Sequence, residues 1–347
     1  MNILLIQLKR IGDLILTTPA ISALREKFPD AKLTLVISRE GAALIPTLSA
    51  IDETLVVRRN LNDVRSFFSV AKRKFDYCID FTRSDRSAFL AFLSRAPTRV
   101  VSYGVKRQSK FRRGAYNKFV RHRMRDMHTI DYNLSLLEPL GIQNIAPPVQ
   151  LNLPAVIYER ANALRRQVKI DEPFIIFHPG SARTEKFWET DRWADVISHA
   201  TAHRGLNAVL TGGTSATEKA HLIEIESKLP RPQNCSDSTP VGSIVDLSGK
   251  VDLLTLAALI AQARLVVTVD TASMHLAAAT RTPQVVLFGP TNPFHWYPRD
   301  SPALILQGES LFPIREFAPK QPRLPMKLIS TQAVIGAMDA LLSTPAA

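Results

Sequence analysis

The sequence predicts an α/β fold made of two doubly wound, Rossmann-like domains. Three observations predict it. Short apolar runs such as residues 3–6, 174–177 and 265–269 lack the polar alternation of a half-exposed strand. They read as strands buried on both faces of a parallel sheet. Longer amphipathic segments separate them, which is the rhythm of βαβ units. That rhythm runs once and then starts again within 347 residues, a length that suits about two domains.

Taken in order, residues 3–6 form a strand. Residues 14–28 read as one helix, stopped by Pro29-Asp30 because proline cannot continue a helix. Residues 33–37 form the next strand, and 56–57, 77–79 and 100–102 are further short strands with helical patterns between them. In the second round 174–177 is a strand, 192–202 a helix, 208–210 a strand and 218–228 a helix. Residues 253–261 are then a helix, 265–269 a strand, 274–279 a helix and 285–288 a strand. The seam is expected within 151–171, where Pro154 and, just beyond, Pro173 punctuate the chain. This divides the protein into domains 1–160 and 161–330. A Pro-rich stretch, 313–325, precedes a last helix over 331–342. That helix and its tail, 331–347, are expected to pack back toward the first domain.

Hydrophobic residues make up 46% and charged residues 22% of the chain, which excludes a disordered protein. No apolar run approaches the ~18 residues of a membrane span. The N-terminus, MNILLIQLKRIGD, lacks a basic region before its apolar stretch and a small-residue cleavage site after it, so it is not read as a signal peptide. The expected location is the cytoplasm. Cys78 and Cys235 are too few for a disulfide framework or a cysteine-rich zinc site, and both are expected to be reduced thiols. The net charge is +13, and it is one-sided. Residues 1–160 carry 26 Lys/Arg against 14 Asp/Glu, and residues 161–347 carry 18 against 17. Much of the excess lies between Lys106 and Arg125. Such a field implies an anionic partner for the first domain. The plain alternative is a solvated basic face.

In doubly wound sheets, ligands bind outside the carboxyl ends of the strands, so the residues after each strand are the informative ones. Gln7-Leu8-Lys9-Arg10-Ile11-Gly12-Asp13 follows the first strand. Asp13 stands at a helix start, where an N-cap is the simplest role. No G-x-G-x-x-G dinucleotide fingerprint occurs. His178-Pro179-Gly180-Ser181-Ala182-Arg183-Thr184-Glu185-Lys186 follows the strand at 174–177. Its small residues and Lys186 suit a phosphate cradle, or simply a loop capped by Ser181 with Trp188 in the core. Thr211-Gly212-Gly213-Thr214 opens another helix, with Glu218 placed to accept from ribose hydroxyls or to complement the helix dipole. The strongest local signal is Val269-Asp270-Thr271-Ala272-Ser273-Met274-His275. An aspartate ends an apolar strand there, and small residues start a helix whose free N–H groups suit a diphosphate or a sugar. His275 is placed to hold that loop, or is structural.

With these pieces in order, the chain resembles glycosyltransferase family 9, the ADP-heptose lipopolysaccharide heptosyltransferases. The resemblance is carried by ILLIQLKRIGDLILTTPAISALREKFPDAKLTLVI, HPGSARTEKFWETDRWADVI, the TGG stretch, DLSGKVDLLTLAALIAQARLVVTVDTASMHLAAATRTPQVVLFGPTNP and MKLISTQAVIGAMDALL. It implies the GT-B fold, in which two Rossmann-like domains face each other across a cleft. The stretch RQSKFRRGAYNKFV…HTIDYNLSLLEPLGI is most similar to the heptosyltransferase III branch. The resemblance implies that Asp13 is the general base on the acceptor hydroxyl and that Lys186 contacts the donor diphosphate. It places Glu218 near the donor ribose and the Val251 backbone near adenine. It gives Asp270 to the donor sugar, Ser181, Thr271 and Ala272 to donor binding, and His275 to the same loop. Ala272 stands where many members have glycine, Ala182 where some carry a second hydroxyl, and 313–325 lacks cysteines that many relatives carry.

What the resemblance implies is an inverting transfer from ADP-heptose to the inner core of lipopolysaccharide. A carboxylate takes the proton of the attacking hydroxyl. Lys186 and helix N-termini carry the charge of the leaving diphosphate, so no metal or other cofactor is expected. The basic Lys9, Arg10, Arg112, Arg113, Arg121 and Arg123 are expected to meet the anionic acceptor at the inner face of the inner membrane, with no nucleic acid involved. The alternatives are a GT-B enzyme that transfers or epimerises another nucleotide sugar, and a basic nucleic-acid-binding protein.

Overall fold

The computed structural model describes residues 1–58, 63–107, 109–170, 173–229 and 242–343. Cys235 and the side chains of Lys106 and Arg107 lie outside the described residues. The chain divides into two compact units, Met1–Asn152 and Leu153–Ala347.

The first unit runs β1 (Asn2–Gln7), α1 (Ile11–Ile15), α2 (Thr18–Lys27), β2 (Lys32–Ser38), β3 (Glu53–Val57), α3 (Asp63–Ala71), β4 (Tyr77–Asp80), α4 (Asp85–Leu93), β5 (Thr98–Ser102), α5 (Lys110–Gly114), β6 (Lys118–Val120) and α6 (Thr129–Ser135). Its strands form one sheet, ordered β3-β2-β1-β4-β5-β6, with every pairing parallel. The four residues Ile3–Ile6 are fully buried, as a strand covered on both faces requires.

The second unit repeats the plan. It runs α7 (Ala155–Gln167), β7 (Phe174–His178), α8 (Thr190–Ser198), β8 (Asn207–Leu210), α9 (Ala216–Lys228), β9 (Ile244–Asp246), α10 (Leu253–Gln262), β10 (Leu265–Val269), α11 (Ala272–Thr280), β11 (Gln284–Leu287), β12 (Ala303–Leu306) and α12 (Thr331–Ser343). The sheet order is β12-β11-β10-β7-β8-β9, again all parallel. In each unit the first strand (β1 or β7) lies beside the fourth (β4 or β10), so the topological switch point falls between them. Ligand sites belong at that place. The two doubly wound sheets are those the sequence predicts.

Four expectations need correction. Residues 14–28 are not one helix. Proline has no N–H to give the carbonyl four residues back, so a continuous helix would leave the Ile15 carbonyl unpaired at Pro19. The Thr18 hydroxyl donates to that carbonyl instead, at 2.8 Å, and α2 starts afresh with Pro19 in its first turn. The stretch 151–171 is not only a seam, because it contains the 13-residue α7 with Pro154 as its N-cap. The boundary therefore falls at Asn152/Leu153 rather than at 160/161. The closing helix α12 is part of the second unit. Its Ala333, Val334, Ala337 and Met338 are buried in the second unit's own core, with Trp193, Val285 and Leu306. The Trp188 indole donates to the Ile329 carbonyl just ahead of it at 3.0 Å. The strands β6, β9 and β12 went unread because they are three or four residues long and lie toward the sheet edges, where burial is incomplete.

Candidate functional site

In the first unit the site begins at the carboxyl end of β1. Asp13 is not an N-cap. Arg10 holds that position in α1 without a side-chain cap bond, and Asp13 falls in the first turn. Its carboxylate, about 15% exposed, lies 3.6 Å from the Lys9 ammonium. The backbone beneath it is fixed. Thr17 Oγ1 donates to the Asp13 carbonyl at 2.7 Å, Gln7 Nε2 donates to Thr17 Oγ1 at 2.8 Å, and Asn133 Nδ2 donates to the Leu16 carbonyl at 2.9 Å. Burial pushes the Lys9 ammonium below its ordinary pKa, and Asp13 partly opposes that. The pair is thus a carboxylate available to take a proton, steadied by a cation.

Asp80 ends β4, next to β1, and is fully buried. It accepts from the Tyr116 hydroxyl, from Ser87 Oγ at 2.7 Å and from the backbone N–H groups of Thr82 and Arg83 at 2.7 and 3.2 Å. Burial pushes its carboxyl above the usual range, against these bonds, and pushes the Tyr116 phenol upward as well. The cluster anchors the loop at 81–84. Thr82 Oγ1 then accepts from the Leu8 N–H at 2.7 Å, tying that loop to the one that carries Lys9.

The basic segment is not uniform. Arg112 grips Asp85 with two bonds, 2.5 and 2.8 Å, so it is committed to a local carboxylate rather than free for an acceptor. Arg113, Arg121, Arg123 and also Arg10 are exposed.

In the second unit the loops after β7, β10 and β11 meet. Lys186 Nζ donates to the Asp270 carboxylate at 2.6 Å and to the Asp270 carbonyl at 2.7 Å. The Thr291 hydroxyl donates to the same carboxylate at 2.6 Å. The Lys186 and Asp270 side chains are only 11% and 8% exposed. An ammonium has three donors, so one remains for a ligand oxygen. Glu218 is buried between two loops. A Cβ on Gly180 would lie 2.8 Å from its Oε1, and one on Gly213 would run into the carboxylate. Both glycines are therefore needed for this approach. Ser215 caps α9 and donates to Glu218 Oε2 at 2.7 Å, leaving the carboxylate able to accept further hydrogen bonds.

The remaining positions surround these two. Ser181 Oγ accepts from the Arg183 N–H at 3.2 Å and shapes the turn. His178 is bonded through Nδ1 to Thr211 Oγ1 at 2.9 Å, and burial pushes its ring down to about 4. Val251 lies two residues past Gly249, whose N–H donates to the Gly212 carbonyl at 3.0 Å, so the loops after β8 and β9 are joined. Thr271 is the N-cap of α11 and makes no side-chain cap bond. Ala272 takes the first helical position, which needs no glycine. His275 is buried in the same helix.

The structure thus brings Lys186 together with Asp270, and sets Glu218 between Gly180 and Gly213. Thr291, Asp80, Tyr116, Thr17 and Asn133 were not singled out from sequence. Asp80 carried a usable signal, because a carboxylate closes β4 just as Asp270 follows β10.

The sequence profile of glycosyltransferase family 9 (heptosyltransferase) matches residues 64–311. A lipopolysaccharide heptosyltransferase 3 from Escherichia coli is 28% identical over 295 residues, covering 83% of this chain and 83% of its own. A family 9 glycosyl transferase from Veillonella parvula superimposes with a TM-score of 0.82 at 25% identity, covering 98% of this chain and 97% of that one. The Escherichia coli ADP-heptose lipopolysaccharide heptosyltransferase II superimposes with a TM-score of 0.78 at 21% identity, covering 99% and 98%.

Proposed function

The chain belongs to glycosyltransferase family 9, and from that premise we propose that it transfers heptose from ADP-heptose to the inner core of lipopolysaccharide, with inversion and without a metal. The observation that carries the reading is the buried Lys186–Asp270 pair, bonded to the Thr291 hydroxyl at the carboxyl end of the second sheet, in a chain whose family match spans it.

The second unit holds the donor. The third N–H of Lys186 and the uncapped N–H groups at the start of α11 meet the diphosphate. Asp270 takes hydroxyls of the donor sugar, and Glu218 takes those of the ribose. The backbone at Val251 lies against the adenine. The first unit holds the acceptor. An acceptor hydroxyl attacks the anomeric carbon as the bond from that carbon to the ADP oxygen breaks on the opposite face. The hydroxyl proton passes to the Asp13 carboxylate, and ADP leaves with its charge met by Lys186. Asp13 suits this role because it is partly exposed and its backbone is held by Thr17 and Gln7. The exposed Arg113, Arg121 and Arg123 supply a basic surface for the anionic acceptor and for the inner leaflet that presents it. Among the described residues no helix is long and apolar enough to cross a membrane, so this reading gives the protein peripheral contact only.

Purified protein is tested with ADP-heptose, UDP- and GDP-sugars, and inner-core acceptors lacking one heptose, with and without EDTA. One added heptose from ADP-heptose alone, of inverted anomeric configuration and unaffected by EDTA, is expected. Lipopolysaccharide of unchanged mass in a deletion strain would overturn the reading.

A further inference from the structure

Among the described residues Arg83 is a cation without an anion. Its backbone is left-handed, at φ +65°, a conformation uncommon for a residue with a side chain. Asp80 accepts its backbone N–H and so stabilises that turn, while the guanidinium points elsewhere. The guanidinium lies over the Tyr132 ring, 5.2 Å from its centroid. Its Nη2 donates to the Met124 thioether, at 3.6 Å. Its Nε is buried with no hydrogen-bond partner, and among the described residues Arg83 forms no ion pair. A buried guanidinium N–H left unpaired is unfavourable, and backbone strain retained at a sheet's switch point is a mark of function.

The place is equally specific. The loop that carries Arg83 is bonded to the Lys9 loop through Thr82 Oγ1 and the Leu8 N–H. Lys9 in turn lies 3.6 Å from Asp13. The Arg83 charge reaches Lys9 and opposes its protonation. Lys9 thus has one partly exposed carboxylate beside it and Arg83 has none among the described residues, so an added anion would stabilise both cations.

We propose that Arg83, together with Lys9, forms an anion subsite that binds one carboxylate or phosphate of the acceptor beside the hydroxyl that Asp13 deprotonates. The proposal rests on the acceptor reading given above and adds a specificity-determining residue to it. Arg83 makes the difference between acceptors that carry the charge at the right distance and those that do not. Its planar fork suits either anion. Asp80, Ser87 and Tyr116 are positioning groups that hold the turn.

The test measures acceptor and donor kinetics for wild type, Arg83→Lys and Arg83→Asn, asparagine being well tolerated in a left-handed turn. Three acceptors are used: intact, phosphatase-treated, and carboxyl-reduced. On the intact acceptor Arg83→Asn should raise the acceptor KM about tenfold to a hundredfold, the loss expected for a charge-assisted bond. The donor KM and kcat should stay within about twofold, and Arg83→Lys should fall between. On the acceptor stripped of the recognised group, wild type and Arg83→Asn should become equal, which tells phosphate from carboxylate. If Arg83→Asn does not fold, Arg83→Gly replaces it, since glycine adopts this φ freely. A folded variant with wild-type acceptor KM overturns the proposal. So does a gap between variant and wild type that persists undiminished on both the phosphatase-treated and the carboxyl-reduced acceptor. If wild type transfers heptose to no inner-core acceptor, the underlying reading fails instead, and the two failures remain distinct.

Discussion

Replacing Lys186 with methionine should do two separable things. Lys186 and Asp270 form a pair with side chains 11% and 8% exposed and a 2.6 Å contact. Removing one partner of a buried pair leaves the other charge uncompensated, at a cost of about 3–5 kcal/mol. For a domain of roughly 150–250 residues each kcal/mol moves Tm by about 2–4 °C, so the second unit should melt roughly 6–20 °C lower. ADP should also bind about tenfold to a hundredfold more weakly, because a charge-assisted hydrogen bond contributes about 1.5–3 kcal/mol. The double variant Lys186→Met, Asp270→Asn separates the effects. It removes the stranded carboxylate, so Tm should recover most of its loss, while ADP affinity should not. Calorimetry and thermal melts on the three proteins suffice. Unchanged ADP affinity in folded Lys186→Met would refute the diphosphate role, and an unchanged Tm would refute the energetic argument for the pair.

Asp13→Asn should lower kcat by about 100-fold or more, as loss of a general base does, with ADP affinity unaltered. Because Arg10 and not Asp13 is the N-cap, stability should shift by no more than about 1 kcal/mol, and a folded mutant with normal turnover would exclude Asp13 as the base. His178 is buried neutral, its pKa pushed from 6.5 down to about 4. As pH falls through 6.5 the unfolded chain gains a proton that the folded chain does not. Stability should therefore fall between pH 6.5 and 4, by up to about 3 kcal/mol, and His178→Gln should flatten that part of a urea-melt series. Gly213→Ala places a methyl against the Glu218 carboxylate; it should destabilise by about 1–3 kcal/mol and weaken ADP binding, and an unaltered ADP titration would contradict the ribose assignment. Neutralising Arg113, Arg121 and Arg123 together should raise the acceptor KM and weaken binding to anionic vesicles, each effect shrinking as salt screens the field; a salt-independent change would point to structural roles.

The apolar runs at Ile3–Ile6 and Leu265–Val269, with helical patterns between, determine two parallel doubly wound sheets, because only strands buried on both faces tolerate such composition. The same patterns bring Asp13, Lys186 and Asp270 to strand ends, where ligands bind. What local pattern cannot carry is the partner of each side chain. Lys186 and Asp270 are 84 residues apart and Asp80 and Tyr116 are 36 apart, and sheet order alone joins them. The slot for Glu218 exists because the loops after β7 and β8 converge with no Cβ in the way. Which core takes α12 is decided by the apolar surface left open on the second sheet, since an amphipathic helix specifies only that one face be buried. Arg112 and Arg83 both add to the first unit's excess of cations, yet among the described residues tertiary structure gives Arg112 a carboxylate and Arg83 none. A charge count sums both equally, and only their surroundings in the fold separate a structural cation from one left for a ligand.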